Sequence, residues 1–255
     1  MSKAVEISSL TKDFGSVKAL NSLNLGIEEG QVYGLLGPNG SGKSTLMKIM
    51  VGLIKPTSGS VRIYGSDPQA DPITVRKVVG YVPETPRLYD FLTGREYLDF
   101  VADLYGVPLG VKRERIKHFL EAFELKGRED EMISGYSQGM RQKVVIIGTL
   151  LHKPRLLIMD EPLNGLDPRS AKIVKDLLHK LSHEGVTTIF STHILEIAQA
   201  ICERVAIMYK GALLLEGKVE DLKTTAGMPG SSLEDVFLKL TGTDDVRAVV
   251  EELVK

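Results

Sequence analysis

The feature that most constrains this chain is a glycine-rich turn between two patterned segments. Residues 31–36 form a short apolar run typical of a buried strand, and residues 43–51 have the periodicity of a helix. The turn is Gly37, Pro38, Asn39, Gly40, Ser41, Gly42, Lys43, Ser44 and Thr45. It fits G-x-x-x-x-G-K-[ST] in the strand–turn–helix context that this motif requires, so the sequence predicts a phosphate-binding loop.

Each residue type in this loop has a physical purpose. Glycines let the backbone curl so that its N–H groups point at phosphate oxygens, and the following helix adds the positive end of its dipole. Lys43 is expected to reach the β and γ phosphates of a nucleotide, and Ser44 to place its hydroxyl on Mg²⁺. The loop alone does not separate a kinase, a GTPase, a helicase and a transporter ATPase.

A pair of acids follows a second apolar run. Residues 156–159 read as a buried strand that ends in Asp160 and Glu161, about 115 residues after the loop. We expect this strand to lie beside the strand of the phosphate loop, with Asp160 holding Mg²⁺ and Glu161 polarising the water that attacks the γ-phosphate. The alternative is a solvated strand end, since acids before a proline such as Pro162 are common in turns.

A third motif lies between the other two. Residues 134–142 place small side chains and backbone N–H groups just before an apolar helix at 143–151. Such a helix start is a possible second anion site, although a plain N-capping turn has the same residue types.

Together these three motifs resemble the ABC ATPase family over nearly the whole chain. The resemblance implies that two copies pair head to tail and that Ser137, Gln138 and Gly139 face the γ-phosphate bound by the other copy. The signature differs from the usual Leu-Ser-Gly-Gly-Gln, because Tyr136, Gln138 and Met140 replace its first, third and last residues.

The same resemblance assigns four further residues. Asp167 falls in the loop that couples the two sites, and it is also a good helix cap. His193 follows a core strand, where it matches the switch histidine that hydrogen-bonds the γ-phosphate. Phe14 matches the aromatic residue that stacks on adenine, or else it closes a hairpin. Glu84 stands where the family commonly has a glutamine that contacts Mg²⁺.

The alternation of strands and helices predicts an α/β fold. The resemblance implies a P-loop NTPase (RecA-like) core with an antiparallel β subdomain and an inserted α-helical subdomain. Antiparallel strands are expected at 4–10 and 19–27, and helical periodicity runs from 93 to 123. The expected units of this single cassette are an ATP-binding core at about 1–84 and 153–217, a helical subdomain at about 85–152, and a C-terminal helical extension at about 218–255, broken near Gly242.

Composition limits the partners and the compartment. With 32 Lys and Arg against 33 Asp and Glu, the net charge of −1 gives no reason to expect nucleic-acid binding. The single cysteine, Cys202, indicates a reducing compartment, so we expect a cytoplasmic protein. No apolar leader or run of about 20 apolar residues is present, so any membrane role is expected through a partner.

Three segments, 81–84, 136–140 and 232–241, are similar to ATPase subunits of multidrug, polysaccharide and lipid exporters. This similarity implies a homodimer that binds ATP and Mg²⁺ at the inner face of the cell membrane and powers a separate integral-membrane permease. Residues 86–93 would then lie near the permease's coupling helix. The alternatives are a soluble ABC ATPase in cofactor assembly and a regulatory nucleotide binder.

Overall fold

The computed structural model describes residues 2–228 and 230–241 of the chain. The strands are β1 (Lys3–Phe14), β2 (Val17–Glu28), β3 (Val32–Leu36), β4 (Ser58–Ile63), β5 (Val79–Val82), β6 (Leu156–Asp160), β7 (Thr187–Thr192), β8 (Arg204–Tyr209) and β9 (Ala212–Lys218). The helices are α1 (Lys43–Met50), α2 (Pro72–Val78), α3 (Gly94–Leu104), α4 (Leu109–Ala122), α5 (Gln138–Leu150), α6 (Pro168–His183), α7 (Leu195–Ile201), α8 (Val219–Thr225) and α9 (Leu233–Thr241). The predicted α/β class is confirmed.

A three-stranded antiparallel sheet has the order β2-β1-β4. Its apolar residues alternate with polar ones, and Val5 on its inner face shares a core with Leu46 and Met50 of α1. One face of this sheet is therefore buried against the helix that follows the phosphate loop.

The central sheet has six strands in the order β5-β6-β7-β3-β8-β9, parallel except for the last pair. β3, β6 and β7 are buried along their whole length, as expected for parallel strands covered on both faces. The expectation that the acidic strand lies beside the phosphate-loop strand is wrong, because β7 pairs with both and separates them. All three strands are parallel, so their carboxyl ends still meet at one edge of the sheet.

The predicted helical stretch consists of two helices, α3 and α4. Thr93 and Glu96 form a capping box at the start of α3, and Gly106 has a positive φ of 67° in the turn that ends it. Both helices pack on α5, and Leu98 and Ile116 are buried in the shared core. These helices pack against α5, the helix that the signature residues begin, with Tyr97 and Leu98 of α3 beside Gly148.

The C-terminal region contains α8 and α9. Leu233 and Val236 of α9 are buried, and α9 packs against α7 and α8. The predicted break near Gly242 and the helix after it lie outside the described residues. Within the part of the chain that is described, no helix has the length and apolar character needed to cross a bilayer.

Candidate functional site

The phosphate loop leaves the end of β3 through backbone conformations that need glycine. Gly37 has a φ of 147°, and a Cβ atom there would lie 2.2 Å from the carbonyl oxygen of Met208. Gly42, at the N-cap of α1, has a φ of 106°, and a Cβ atom there would lie 2.6 Å from the carbonyl oxygen of Ala19. Any other residue at these two positions would strain the backbone and collide with neighbouring chain.

Lys43 is buried at the first position of α1 and turns back onto the loop. Its Nζ donates to the carbonyl of Gly37 at 2.7 Å and to that of Pro38 at 3.2 Å. Burial lowers the pKa of Lys43, and the carboxylates of Glu161, Asp160 and Glu84 oppose that shift. The cation therefore lies at the centre of the loop, within the field of three acids from two different strand ends.

Ser191 links the two acids that follow β6. Its Oγ donates to Oδ1 of Asp160 at 2.6 Å and accepts the backbone N–H of Glu161 at 2.9 Å. Asp160 is only 1% exposed, and its second oxygen, Oδ2, is buried without a hydrogen-bond partner among the described residues. A buried carboxylate oxygen left in this way is costly unless it binds a ligand or cation.

Glu161 has a left-handed backbone with a φ of 46°, which is uncommon for a residue with a long side chain. Strained conformations of this kind cluster at functional sites. The conformation directs the carboxylate toward His193, whose Nδ1 lies 3.0 Å from Oε1 of Glu161. With its proton on Nδ1, the imidazole donates to the carboxylate. His193 is 45% exposed, so it stands between a buried acid and the open side of the loop.

Two of the three residues predicted to hold Mg²⁺, Asp160 and Glu84, line one groove. Ser44 is partly buried in the first turn of α1, and Glu84 follows β5 in the same groove as Asp160. Within the described residues, no group of three or more His, Cys, Asp and Glu side chains could hold a metal ion alone. Mg²⁺ usually binds to one or two carboxylates together with phosphate oxygens and water, and the orphaned Oδ2 of Asp160 fits that arrangement.

The signature residues start α5. Ser137 is the N-cap and accepts the backbone N–H of Met140 at 3.2 Å. Gly139 lies against Gly165, because a Cβ atom at Gly139 would be 2.5 Å from the Gly165 carbonyl oxygen. The capping turn that the sequence offered as the alternative is therefore present.

Asp167 caps α6 and also reaches back to α5. Its Oδ1 accepts the backbone N–H of Ser170 at 2.8 Å, and Lys143 Nζ lies 2.8 Å from its Oδ2. The hydrogen bonds from Lys143 and Ser170 hold the pKa of Asp167 well below its usual range. The loop between β6 and α6 is thereby fixed to the signature helix.

Phe14 lies at the end of the β1–β2 hairpin, where it pairs with Val17. Its ring is half exposed, with Nζ of Lys12 4.7 Å from the ring centroid. The hairpin also approaches the phosphate loop, since Ala19 of β2 contacts Gly42. The residue thus closes a hairpin and still offers a ring face.

Sequence reasoning missed the parts of this site that act through other residues. The sequence analysis assigns no role to Ser191, although a hydroxyl at the end of a strand next to an acidic strand is a usable signal. Gln142 also went unassigned, yet its buried Nε2 donates to the carbonyl of Pro162 at 3.0 Å. That contact joins residues 20 positions apart and is not predictable from local sequence.

The fold and the site define a P-loop nucleotide-binding domain, with the loop between β3 and α1 and an acidic strand end two strands away. A family model described as ABC transporter matches residues 20–164. The chain belongs to the ABC transporter family, and it is of the ATP-binding subunit type. The resemblance inferred from its motifs is confirmed.

Relatives and solved structures agree with this placement. The chain is 40% identical over 223 residues to a bacitracin transport ATP-binding protein of Enterococcus faecalis, covering 87% of this chain and 71% of that protein. It is 35% identical to a daunorubicin/doxorubicin resistance ATP-binding protein of Streptomyces peucetius, covering 88% and 68%. The solved ATP-binding subunit of an ABC transporter superposes with a TM-score of 0.89 at 32% identity, covering 93% and 99%. A dimeric bacterial ABC transporter cassette superposes with a TM-score of 0.77 at 28% identity, covering 84% and 98%.

Proposed function

We propose that this chain hydrolyses ATP to ADP and phosphate with Mg²⁺, and that this hydrolysis drives export through a separate membrane permease. The observation that carries the proposal is the contact between Glu161 and His193 at the edge of the sheet where Asp160 and Lys43 also lie. An acid positioned by a histidine beside a phosphate loop has the arrangement needed to activate water.

Each side chain has a distinct part in this proposal. Lys43 exchanges its carbonyl partners for the β and γ phosphates, and the backbone N–H groups of the loop hold their oxygens. Glu161 accepts a hydrogen bond from the attacking water and takes its proton as the new P–O bond forms. The bond between the γ-phosphorus and the β–γ bridging oxygen breaks in the same step, so ADP is the leaving group and the γ-phosphoryl group departs as phosphate. With both ring nitrogens protonated, His193 donates from Nδ1 to Glu161 and from Nε2 to the γ-phosphate. Mg²⁺, when bound by Ser44 and Asp160, neutralises charge on the phosphates.

The proposed active form is a head-to-tail dimer. The N-terminus of α5, with Ser137, Gln138 and Gly139, supplies backbone N–H groups and the positive end of a helix dipole. In the dimer these residues face the phosphate loop of the second copy, and Asp167 lies between the two sites. The similarity to a dimeric cassette supports this arrangement.

A groove between the helical region and the central sheet is the proposed permease site. Its volume is about 840 Å³, and its wall includes the exposed rings of Tyr89, Phe100 and Tyr105. Exposed apolar surface of this kind marks an interaction site. We assign to it a short cytoplasmic helix of the permease, which would hold the chain at the inner face of the membrane. Glu84 lines the same groove and lies within the field of Lys43, so the docked helix and the nucleotide would share a contact.

Export is the direction proposed, because the relatives include bacitracin transport and daunorubicin/doxorubicin resistance proteins. The substrate would be selected by the permease rather than by this chain.

The test is ATP turnover of the purified chain with Mg²⁺, beside Glu161→Gln and with the metal chelated. Loss of Glu161 as a base is expected to lower turnover by about 10²-fold or more. Glu114→Gln, on the exposed face of α4, is the matched control and should hydrolyse like the parent chain. Equal turnover in Glu161→Gln, or turnover that survives chelation, would contradict the proposal.

A further inference from the structure

The loop between β5 and α3 is bonded to the segment that leads into the signature. Four backbone hydrogen bonds join them, two in the loop itself and two at the start of α3: Ser134 N to Asp90 O at 3.1 Å, Ile133 N to Leu92 O at 2.8 Å, Gly94 N to Glu131 O at 3.3 Å, and Arg95 N to Glu129 O at 2.8 Å. The two segments therefore move as one piece unless these bonds break.

One side-chain contact extends this junction to the signature helix. Nη1 of Arg141 lies 2.7 Å from Oδ1 of Asp90. Nε of the same guanidinium donates to the carbonyl of Tyr136 at 3.4 Å. The backbone N–H of Arg141 donates to the carbonyl of Ser137, one turn earlier, at 3.0 Å. Two contacts, through Arg141, thus connect Asp90 to the N-cap of α5, and a third holds the same guanidinium on Tyr136.

The neighbours of Asp90 in sequence face away from this junction. Tyr89 is 49% exposed and Phe91 is 71% exposed, and their ring centroids lie 5.7 Å apart. Asp90 contacts the signature helix while the residues on either side of it form exposed apolar surface. A force that moves the rings of Tyr89 and Phe91 therefore also moves Asp90, which lies between them in the chain.

At the signature end of the junction, Tyr136 is held in place by two contacts. Tyr136, which replaces the usual leucine of the signature, is buried and donates its hydroxyl to the carbonyl of Arg128 at 2.7 Å. Its ring fills the space beside Gly94, where a Cβ atom would lie 2.3 Å from the hydroxyl oxygen. The tyrosine thus fastens the start of α3 to the signature, and the Asp90–Arg141 contact adds a side-chain link from the loop after β5 to the same helix.

We propose that Asp90 is a positioning residue, which acts through Arg141 to couple the placement of Ser137 to the exposed surface of Tyr89 and Phe91. The link rests on the proposed function, because Ser137 must face the nucleotide of a second copy for its placement to matter. Closure of the dimer over ATP moves Tyr89 and Phe91, and a partner that holds those two rings changes the ease of closure.

Asp90 is suited to a test, since its side chain is 61% exposed and an exposed ion pair contributes little to folding stability. The chain contains no tryptophan, so Phe91→Trp introduces a single indole. The parent protein for the test carries Phe91→Trp and Glu161→Gln. We measure its indole emission and its mass by light scattering as ATP and Mg²⁺ are added.

ATP is expected to dimerise the parent protein and to shift its emission. Adding Asp90→Asn should reduce the shift at saturating ATP and raise severalfold the ATP concentration needed for dimerisation. Asp90→Glu, which keeps the carboxylate, should restore both. Asp176→Asn, an equally exposed acid on α6, is the matched control and should change neither.

An unchanged shift and an unchanged ATP requirement in Asp90→Asn would overturn the link while leaving the proposed function intact. A parent protein that never dimerises would overturn the proposed function, and the link would fall with it. Light scattering separates these outcomes, because it reports dimerisation independently of the indole.

Discussion

Oε1 of Glu161 lies 3.0 Å from Nδ1 of His193, joining the end of β6 to the loop after β7. Glu161 is buried and has a left-handed backbone, whereas His193 is partly open to solvent. The contact fixes the direction of the Glu161 carboxylate through Nδ1 and does not involve Nε2, the other imidazole nitrogen. Catalysis by the acid is therefore expected to depend on the histidine.

His193→Ala tests that dependence. Without the imidazole, Glu161 loses its partner and the γ-phosphate loses a donor, so turnover should fall by about 10²-fold while ATP binding changes little. Steady-state turnover and equilibrium binding of ATP measure the two effects separately. His179→Ala, an exposed histidine on α6, is the control. Full turnover in His193→Ala would remove the histidine from the mechanism.

Lys43→Ala should act mainly on binding. The ammonium is already held in the loop by two carbonyl oxygens, so its contacts with phosphate require little rearrangement. Loss of a charged hydrogen-bonding group of this kind should weaken ATP binding by about 10- to 100-fold. Titration calorimetry gives the affinity directly, with Lys180→Ala on α6 as the control. An affinity equal to that of the parent chain would show that Lys43 does not reach the phosphates.

Ser191 and Thr188 make a matched pair on β7. Ser191→Ala leaves Oδ1 of Asp160 and the N–H of Glu161 without their partner, so it should lower the free energy of unfolding by about 1–3 kcal/mol. Thr188 is also fully buried, but its hydroxyl has no partner within the described chain. Thr188→Val should therefore be neutral or stabilising. Urea unfolding measures both, and equal losses in the two variants would contradict the importance assigned to Ser191.

The sequence was sufficient where one residue type satisfies one local requirement. Gly37 and Gly42 were predicted from their motif, and the steric reason is visible in the contacts a Cβ atom would make. It was insufficient for the order of strands, because the placement of β7 between β3 and β6 depends on long-range pairing that periodicity does not encode. The helix α2 was also missed, although Asp71 before Pro72 is a recognisable start.

Contacts between distant segments were equally inaccessible. Asp90 and Arg141 are 51 positions apart, and each has the ordinary appearance of a charged surface residue. The roles of Phe14, Glu84 and Asp167 stay predictions, because the structure gives only their positions and immediate neighbours.

His152 predicts a pH dependence of stability. It stacks on Tyr105 with 3.8 Å between ring centroids, and burial lowers its pKa, partly opposed by the carbonyl of Val79. Below the ordinary pKa of about 6.5 the unfolded chain takes up a proton that the folded chain resists, so stability is full above that pH and falls as the pH decreases. Urea midpoints at about pH 7.5 and about pH 5.5 should differ less in His152→Gln than in the parent chain. An equal difference in both proteins would show that His152 is protonated as readily in the folded chain as in the unfolded chain.

The most direct test of the whole account is the mass of Glu161→Gln in solution with and without ATP and Mg²⁺. Because this variant is expected to bind ATP and to hydrolyse it at least about 10²-fold more slowly, light scattering should find the 28.0 kDa chain alone without nucleotide and twice that mass with it. Ser137→Arg added to the same chain should abolish the dimer, because the arginine would occupy the space that the γ-phosphate of ATP bound by the second copy would take. A mass that stays at that of one chain at saturating ATP, or a dimer that forms equally well without nucleotide, would contradict closure of two copies over ATP.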